Sequence, residues 1–160
     1  MTQIAEIPVR QITVSTHIVL VDYRLSIEEL IACGRYGDVN LHVTSRQFPA
    51  EEHLCERFVT LQLLVPGREA SPDEVDEMLA AEGLRNGSAR ELLTLGVLHP
   101  ELQLGMNIVA LGATFKSDRG HHYALELEFA FGMRKVSFVW PHHNREMWDA
   151  NVAFLCVKKD

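Results

Sequence analysis

Histidine is the residue through which this chain could do chemistry. It has eight of them in 160 residues, and two pairs, His121-His122 and His142-His143, flank a segment that reads as a β-hairpin. Matching the aromatic faces of that hairpin puts Phe131 opposite Val136, Phe129 opposite Phe138 and Leu127 opposite Trp140. His143 then lies opposite Ala124, with His122 and Glu126 as diagonal neighbours on the wet face, within about 7–8 Å. Two imidazoles and a carboxylate are a ligand set that zinc or iron(II) uses, so His122, Glu126 and His143 define a candidate metal site and, with it, a metal-dependent enzyme. The competing reading needs no metal: surface histidines near a strand end balance neighbouring glutamates and make a pH-sensitive surface.

The stretch from Trp140 to Trp148 suggests a different activity. Trp140, His142, His143, Asn144, Arg145 and Trp148 combine aromatic rings, an amide and charge in one loop between strands, and binding surfaces are built on such loops. The partner would be a protein or a small molecule. The alternative is that both tryptophans are core anchors. Cys33, His42, His53 and Cys55 contain the atoms of a zinc site but not its spacing. Cys55 stands among Glu51, Glu52 and Glu56, which oppose a thiolate. A phosphate loop, a nucleophile-elbow serine and a His-Glu-x-x-His helix are all missing from the sequence, and residues 112–117 lack the second glycine of a P-loop. No catalytic residue is assigned, and a binding or interaction module is the preferred function.

The elements that would carry these residues are legible from their ends. Ser26 with Glu29, Ser71 with Glu74 and Ser88 with Glu91 each form a Ser-x-x-Glu box ahead of an amphipathic run, where hydroxyl and carboxylate satisfy two orphan N–H groups together. Pro72 suits the first helical position. The boxes predict helices over 27–33, closed by Gly34, over 72–82, stopped by Gly83, and from 89 toward His99. Strand is predicted over 12–23, 39–43, 58–65, 108–115, 123–131 and 136–140, from alternation and β-branched content. Arg85-Asn86-Gly87 reads as a tight connection and residues 117–120 as a turn. Residues 152–157 are apolar on both faces, which predicts a strand in the middle of a sheet. Leu127, Phe129, Phe138 and Phe154 are the expected core.

Together these elements predict one α+β domain over residues 1–160, mostly antiparallel sheet with three short helices. A 47% hydrophobic chain of this size buries a core without disulfides. Its net charge of −7 and the lack of any Lys/Arg run longer than two oppose binding to nucleic acid. No apolar run approaches the roughly 20 residues of a membrane span. The first ten residues carry Glu6 and Pro8 where a secretory leader has a basic segment and an apolar one. With three cysteines lacking CxxC spacing, the expectation is a soluble cytoplasmic protein.

Several segments resemble a group of short bacterial proteins with no assigned activity. They are Ser26-Ile-Glu-Glu-Leu-Ile-Ala-Cys-Gly-Arg-Tyr36, Ser71-Pro-Asp-Glu-Val75, Ala89-Arg-Glu-Leu-Leu-Thr-Leu-Gly96 with His99-Pro-Glu-Leu-Gln103, Ile108-Val-Ala-Leu-Gly112 and Phe154-Leu-Cys-Val-Lys-Lys159. The resemblance implies kinship and no chemistry. In element order, with two capped helices followed by short antiparallel strands and a chain end returning to mid-sheet, the chain also resembles the C-type-lectin-like fold. Neither the calcium-ligand runs of lectins nor the cysteine context of formylglycine-generating enzymes is present in the sequence. Fold alone carries no function.

Overall fold

The three serine boxes cap three helices. In the computed structural model, which describes residues 12–52, 54–140 and 147–160 with side chains from Ser15 onward, the chain runs β1 (Ile12–Asp22), α1 (Ile27–Gly34), β2 (Asp38–Val39), β3 (Glu56–Val65), α2 (Pro72–Ala81), β4 (Leu84–Asn86), α3 (Ala89–Leu98), α4 (Leu102–Gly105), β5 (Ile108–Lys116), β6 (His122–Ala130), β7 (Met133–Val139) and β8 (Ala153–Lys158). The hydroxyls of Ser26, Ser71 and Ser88 accept from the N–H groups of Glu29, Glu74 and Glu91 at 3.1, 3.1 and 3.3 Å. The return bond is made only in the third box, where Glu91 accepts from Ser88 N–H at 2.8 Å. Glu74 is drawn to Arg68 instead, at 2.5 Å.

Gly83 ends α2 at φ +68° as expected, but α1 ends differently. Its left-handed residue is Arg35, at φ 50°. Gly34 is needed for another reason: a Cβ there would lie 2.2 Å from the Tyr36 ring.

The strands form one sheet in the order β1-β3-β8-β5-β6-β7-β2, with β4 also paired to β8. The chain is therefore an α+β domain. β2 with β7 and β5 with β8 pair in parallel; the other pairs are antiparallel. The doubly apolar C-terminal strand takes the centre, between β3 on one side and β5 and β4 on the other. Each face of the sheet has its own core. Ile27 and Leu30 of α1 and Leu92, Leu93 and Leu95 of α3 pack on Leu61, Leu63, Leu125, Leu127 and Leu155. Val75 and Leu79 of α2 and Trp148 pack on Leu64, Val109, Ala124, Phe154 and Cys156. Among the described residues no helix is long and apolar enough to cross a membrane.

Several expectations are corrected by this topology. The strand expected over 39–43 stops at Val39, because Asn40 turns the chain: its side-chain oxygen accepts from His42 N–H at 2.9 Å and its carbonyl from Val43 N–H at 3.0 Å. The connection expected at 85–87 is largely strand, since Leu84–Asn86 pairs with β8. A fourth helix, α4, follows α3. Cys33, in the last turn of α1, is exposed.

The largest correction is the hairpin register. β6 and β7 join through a two-residue turn, Phe131-Gly132, in which both residues have positive φ (54° and 74°) and Ala130 pairs with Met133. Such a turn matches the twist of the flanking strands. Leu127 therefore opposes Val136 and Leu125 opposes Phe138. Phe129, expected in the core, is 43% exposed. It lies at the turn end of β6, beyond the Leu125 and Leu127 that the helices cover. Leu127 and Phe154 are buried as expected, and Phe138 is partly buried against the first core.

Candidate functional site

Trp148 is held by backbone before its side chain is considered. It exchanges two hydrogen bonds with Ala70, Trp148 N–H to Ala70 O at 2.7 Å and Ala70 N–H to Trp148 O at 3.2 Å, which ties the segment before β8 to the approach to α2. Its ring stands edge to face with Phe154, with centroids 5.7 Å apart. The residue is 3% exposed, yet its indole N–H has no hydrogen-bond partner among the described residues. Trp148 lines a cleft of about 160 Å³ between α2, β4, β5 and β6.

A bulge shapes the far wall of this cleft. Ala110 of β5 pairs with Leu125, and the next pair is Thr114 with Ala124, so residues 111–113 have no counterparts on β6. The bulged chain closes on β4: Gly112 N–H donates to Gly87 O at 2.9 Å, and a Cβ on Gly112 would approach that oxygen to 2.4 Å. Leu111 and Thr114 consequently join Asn86 around the cleft. The Asn86 amide is oriented by its neighbour. Its NH₂ donates to Asp76 Oδ1 at 2.9 Å, and because a carboxylate only accepts, the amide oxygen is the atom left over. That buried oxygen has no partner among the described residues either. Two unsatisfied buried polar atoms, a donor and an acceptor, thus belong to residues of one cleft, and such atoms are rare enough in folded proteins to require an explanation.

The structure brings together two of the residues singled out in the sequence, His122 and Trp148, which line the same cleft. Glu126 does not join them. It is 3% exposed in the middle of β6, between Val109 of β5 and Ser137 of β7, rather than on a wet face. Burial, reinforced by the Glu128 carboxylate two residues on, pushes its carboxyl up to about 8. His122 and Glu126 are four residues apart on one strand, about 13 Å, which is beyond what the two side chains can close around one ion. The residue opposite Ala124 is Val139, not His143. Among the described residues no three His, Cys, Asp or Glu side chains are grouped to hold a metal ion.

His142, His143, Asn144 and Arg145 lie outside the described residues, as does His53. Trp140, the other end of the expected binding loop, is partly buried and stacks on Tyr123 with centroids 4.9 Å apart and planes 11° from parallel. Of the two tryptophans only Trp148 lines the cleft. Asn86, Asp76 and Thr114 were missed in the sequence. Asn86 carried a turn signal, and nothing local marks the other two.

A wider cleft of about 600 Å³ opens where β3, β4 and β8 end, with Tyr23 and Arg85 in its wall. Behind them Glu91 is completely buried. Burial raises its pKa, but bonds from Arg85, Tyr23 and Ser88 outweigh that and hold it below the usual value. Arg85 Nη1 and Nη2 donate at 2.9 and 2.7 Å, and Tyr23 Oη–H at 2.5 Å. With Ser88 N–H, each carboxylate oxygen receives two bonds. This wall is satisfied, whereas Trp148 Nε1 and Asn86 Oδ1, with buried atoms of Ser15, His17, Tyr36 and Thr94 elsewhere in the fold, have no partner among the described residues.

No protein-family model matches the chain, and neither does any curated protein or any solved structure.

Proposed function

We propose that this chain is a binding module whose ligand occupies the cleft beside Trp148. The observation that carries the reading is the cleft itself, about 160 Å³ and walled by Trp148, Leu111, Ala124 and Pro72 with Asn86 and Thr114 beside them. Placement favours the same conclusion: helix α2 and the β5 bulge frame the cleft, and strands set in a packed sheet hold its walls in position.

The setting proposed for this activity is the cytoplasm, away from membranes and nucleic acid. The free thiols of Cys33 and Cys55, both exposed, and the net charge of −7 support it. Kinship with short bacterial proteins, and a C-type-lectin-like arrangement supported by the chain end returning to the sheet centre, belong to the same proposal.

The test is a fragment screen against ¹⁵N-labelled protein, read on the indole N–H signals of Trp140 and Trp148. Binding should move the Trp148 signal, and Trp148→Phe should abolish the binding of whatever moved it. A screen in which no fragment moves the Trp148 signal, or in which only Trp140 responds, would overturn the reading.

A further inference from the structure

The two edges of the sheet are built differently. One ends in β2, two residues long, with Asp38 and Lys135 in contact at 3.4 Å beside it. Short strands and charged side chains are the usual means by which a sheet edge avoids pairing with another chain. The other edge is β1, 11 residues long, which among the described residues pairs with β3 alone. From Ile12 to Val21 it contains no Asp, Glu, Lys, Arg or Pro. Its irregularity, a register shift between Thr13 and Ser15, lies near its start and leaves Ser15–Val21 in continuous register with β3.

The side chains along this edge add to its exposure. Val19 and Val21 belong to the core under α1 and α3, and alternation sends Ile18 and Leu20 to the other face, where they are 74% and 41% exposed. Phe58, cross-strand from Leu20, is 75% exposed. The core that α2 and Trp148 make on that face includes no residue of β1. Three large apolar side chains therefore follow an edge that lacks the protection given to β2.

We propose that β1 pairs antiparallel with β1 of a second copy, about a two-fold axis at Ile18, and so joins two sheets into one. Charge selects this occupant. Self-pairing about Ile18 sets Ile18 against itself, Leu20 against Thr16, Val19 against His17 and Val21 against Ser15, so no Asp, Glu, Lys or Arg faces its own kind. A charged foreign strand finds no countercharge anywhere along Ile12–Val21, whereas a second copy brings an uncharged strand of equal length and the same apolar alternation, and a two-fold contact needs only this one surface. Pairing over Ser15–Val21 extends roughly 24 Å. Such a contact is at the low end of specific interfaces, which run from about 1,200 Å², so the dimer is a weak one that dissociates on the order of 10 μM.

Sedimentation velocity over a concentration series, with hydrogen exchange read at the same concentrations, tests the pairing. The protein should pass from monomer to dimer in that range, and added salt should tighten the dimer, because two copies of net charge −7 repel until they are screened. Amide protection should rise with concentration in β1. Ile18→Lys and Ile18→Glu, made at an exposed position, should each weaken the dimer about tenfold, since each sets two like charges against one another across the axis. Mixing the two variants should restore it, because lysine then faces glutamate. A dimer that survives both substitutions, or a mixture no tighter than either variant alone, would overturn the pairing. So would a monomer at every concentration, whether β1 exchanges fast as an open edge or slowly as an edge covered by its own chain.

Discussion

At the scale of single residues, Glu91 is a fully buried charge and Arg85, its partner, is partly in water, with 43% of its side chain exposed. The two are not equivalent in what their loss would do. Removing Glu91 leaves a guanidinium that reaches solvent, whereas removing Arg85 strands a carboxylate at 0% exposure with only Tyr23 and Ser88 as donors. Arg85→Ala should therefore destabilise by about 3 kcal/mol, the low end for breaking a buried pair because half of this one is solvated. Urea denaturation at pH 7 measures it. A loss below about 1 kcal/mol would mean that Glu91 is rehydrated in the variant.

At the scale of elements, the hairpin turn is the least comfortable piece of backbone. Phe131 is 90% exposed and left-handed, which for a side chain with a Cβ costs roughly 1–2 kcal/mol, and asparagine with glycine is the preferred pair for such a turn. Lys135 lies 5.7 Å from the Phe131 ring centre, an exposed contact worth about 0.5–1 kcal/mol. Relief of the backbone outweighs its loss, so Phe131→Asn should stabilise by several tenths of a kcal/mol, seen as a raised Tm. A lowered Tm would show that the ring contact governs the turn. The helix caps belong to this scale as well, and they were legible because a cap involves residues no more than four positions apart. The turn was not, because phenylalanine gives no local sign of a left-handed residue, and a misplaced turn moved every cross-strand partner of His122 and Glu126.

At the scale of the whole molecule, stability depends on pH through groups with opposite signs. Glu126 titrates near 8 in the fold against an ordinary 4.5. The native state holds that proton more tightly, so the associated stability is complete below about 4.5 and is lost as pH rises through about 8. His17 works in reverse. Burial first, then His99 beside it at 4.4 Å, lowers its pKa from 6.5, against a smaller upward pull from Glu101. Its neutral form is favoured in the fold, and the stability it contributes falls as pH drops through 6.5 and below. Glu126→Gln should accordingly flatten the alkaline limb, raising Tm at pH 9 relative to wild type. Parallel Tm curves for the two proteins between pH 6 and 9.5 would refute the assignment.

By itself the sequence determined the three helix starts, the stop at Gly83, the α+β class and the central position of the strand expected over 152–157. Each depends on neighbours along the chain or on an apolar pattern strong enough to demand burial on two sides. It also marked Trp148 and His122 as residues to watch. Only the tertiary structure decided that these two share a cleft, that Glu126 lies within the sheet and that Phe129 stands clear of the helices. Alternation along a strand identifies its two faces, but how far a helix covers either face is a property of the assembled molecule. The site depends on a three-residue bulge in β5, on β4 adding to β8 and on Asp76 turning the Asn86 amide. The β4–β8 pairing joins segments far apart in the chain, and which distant segments meet is settled by the burial of the whole core rather than by any residue's immediate neighbours.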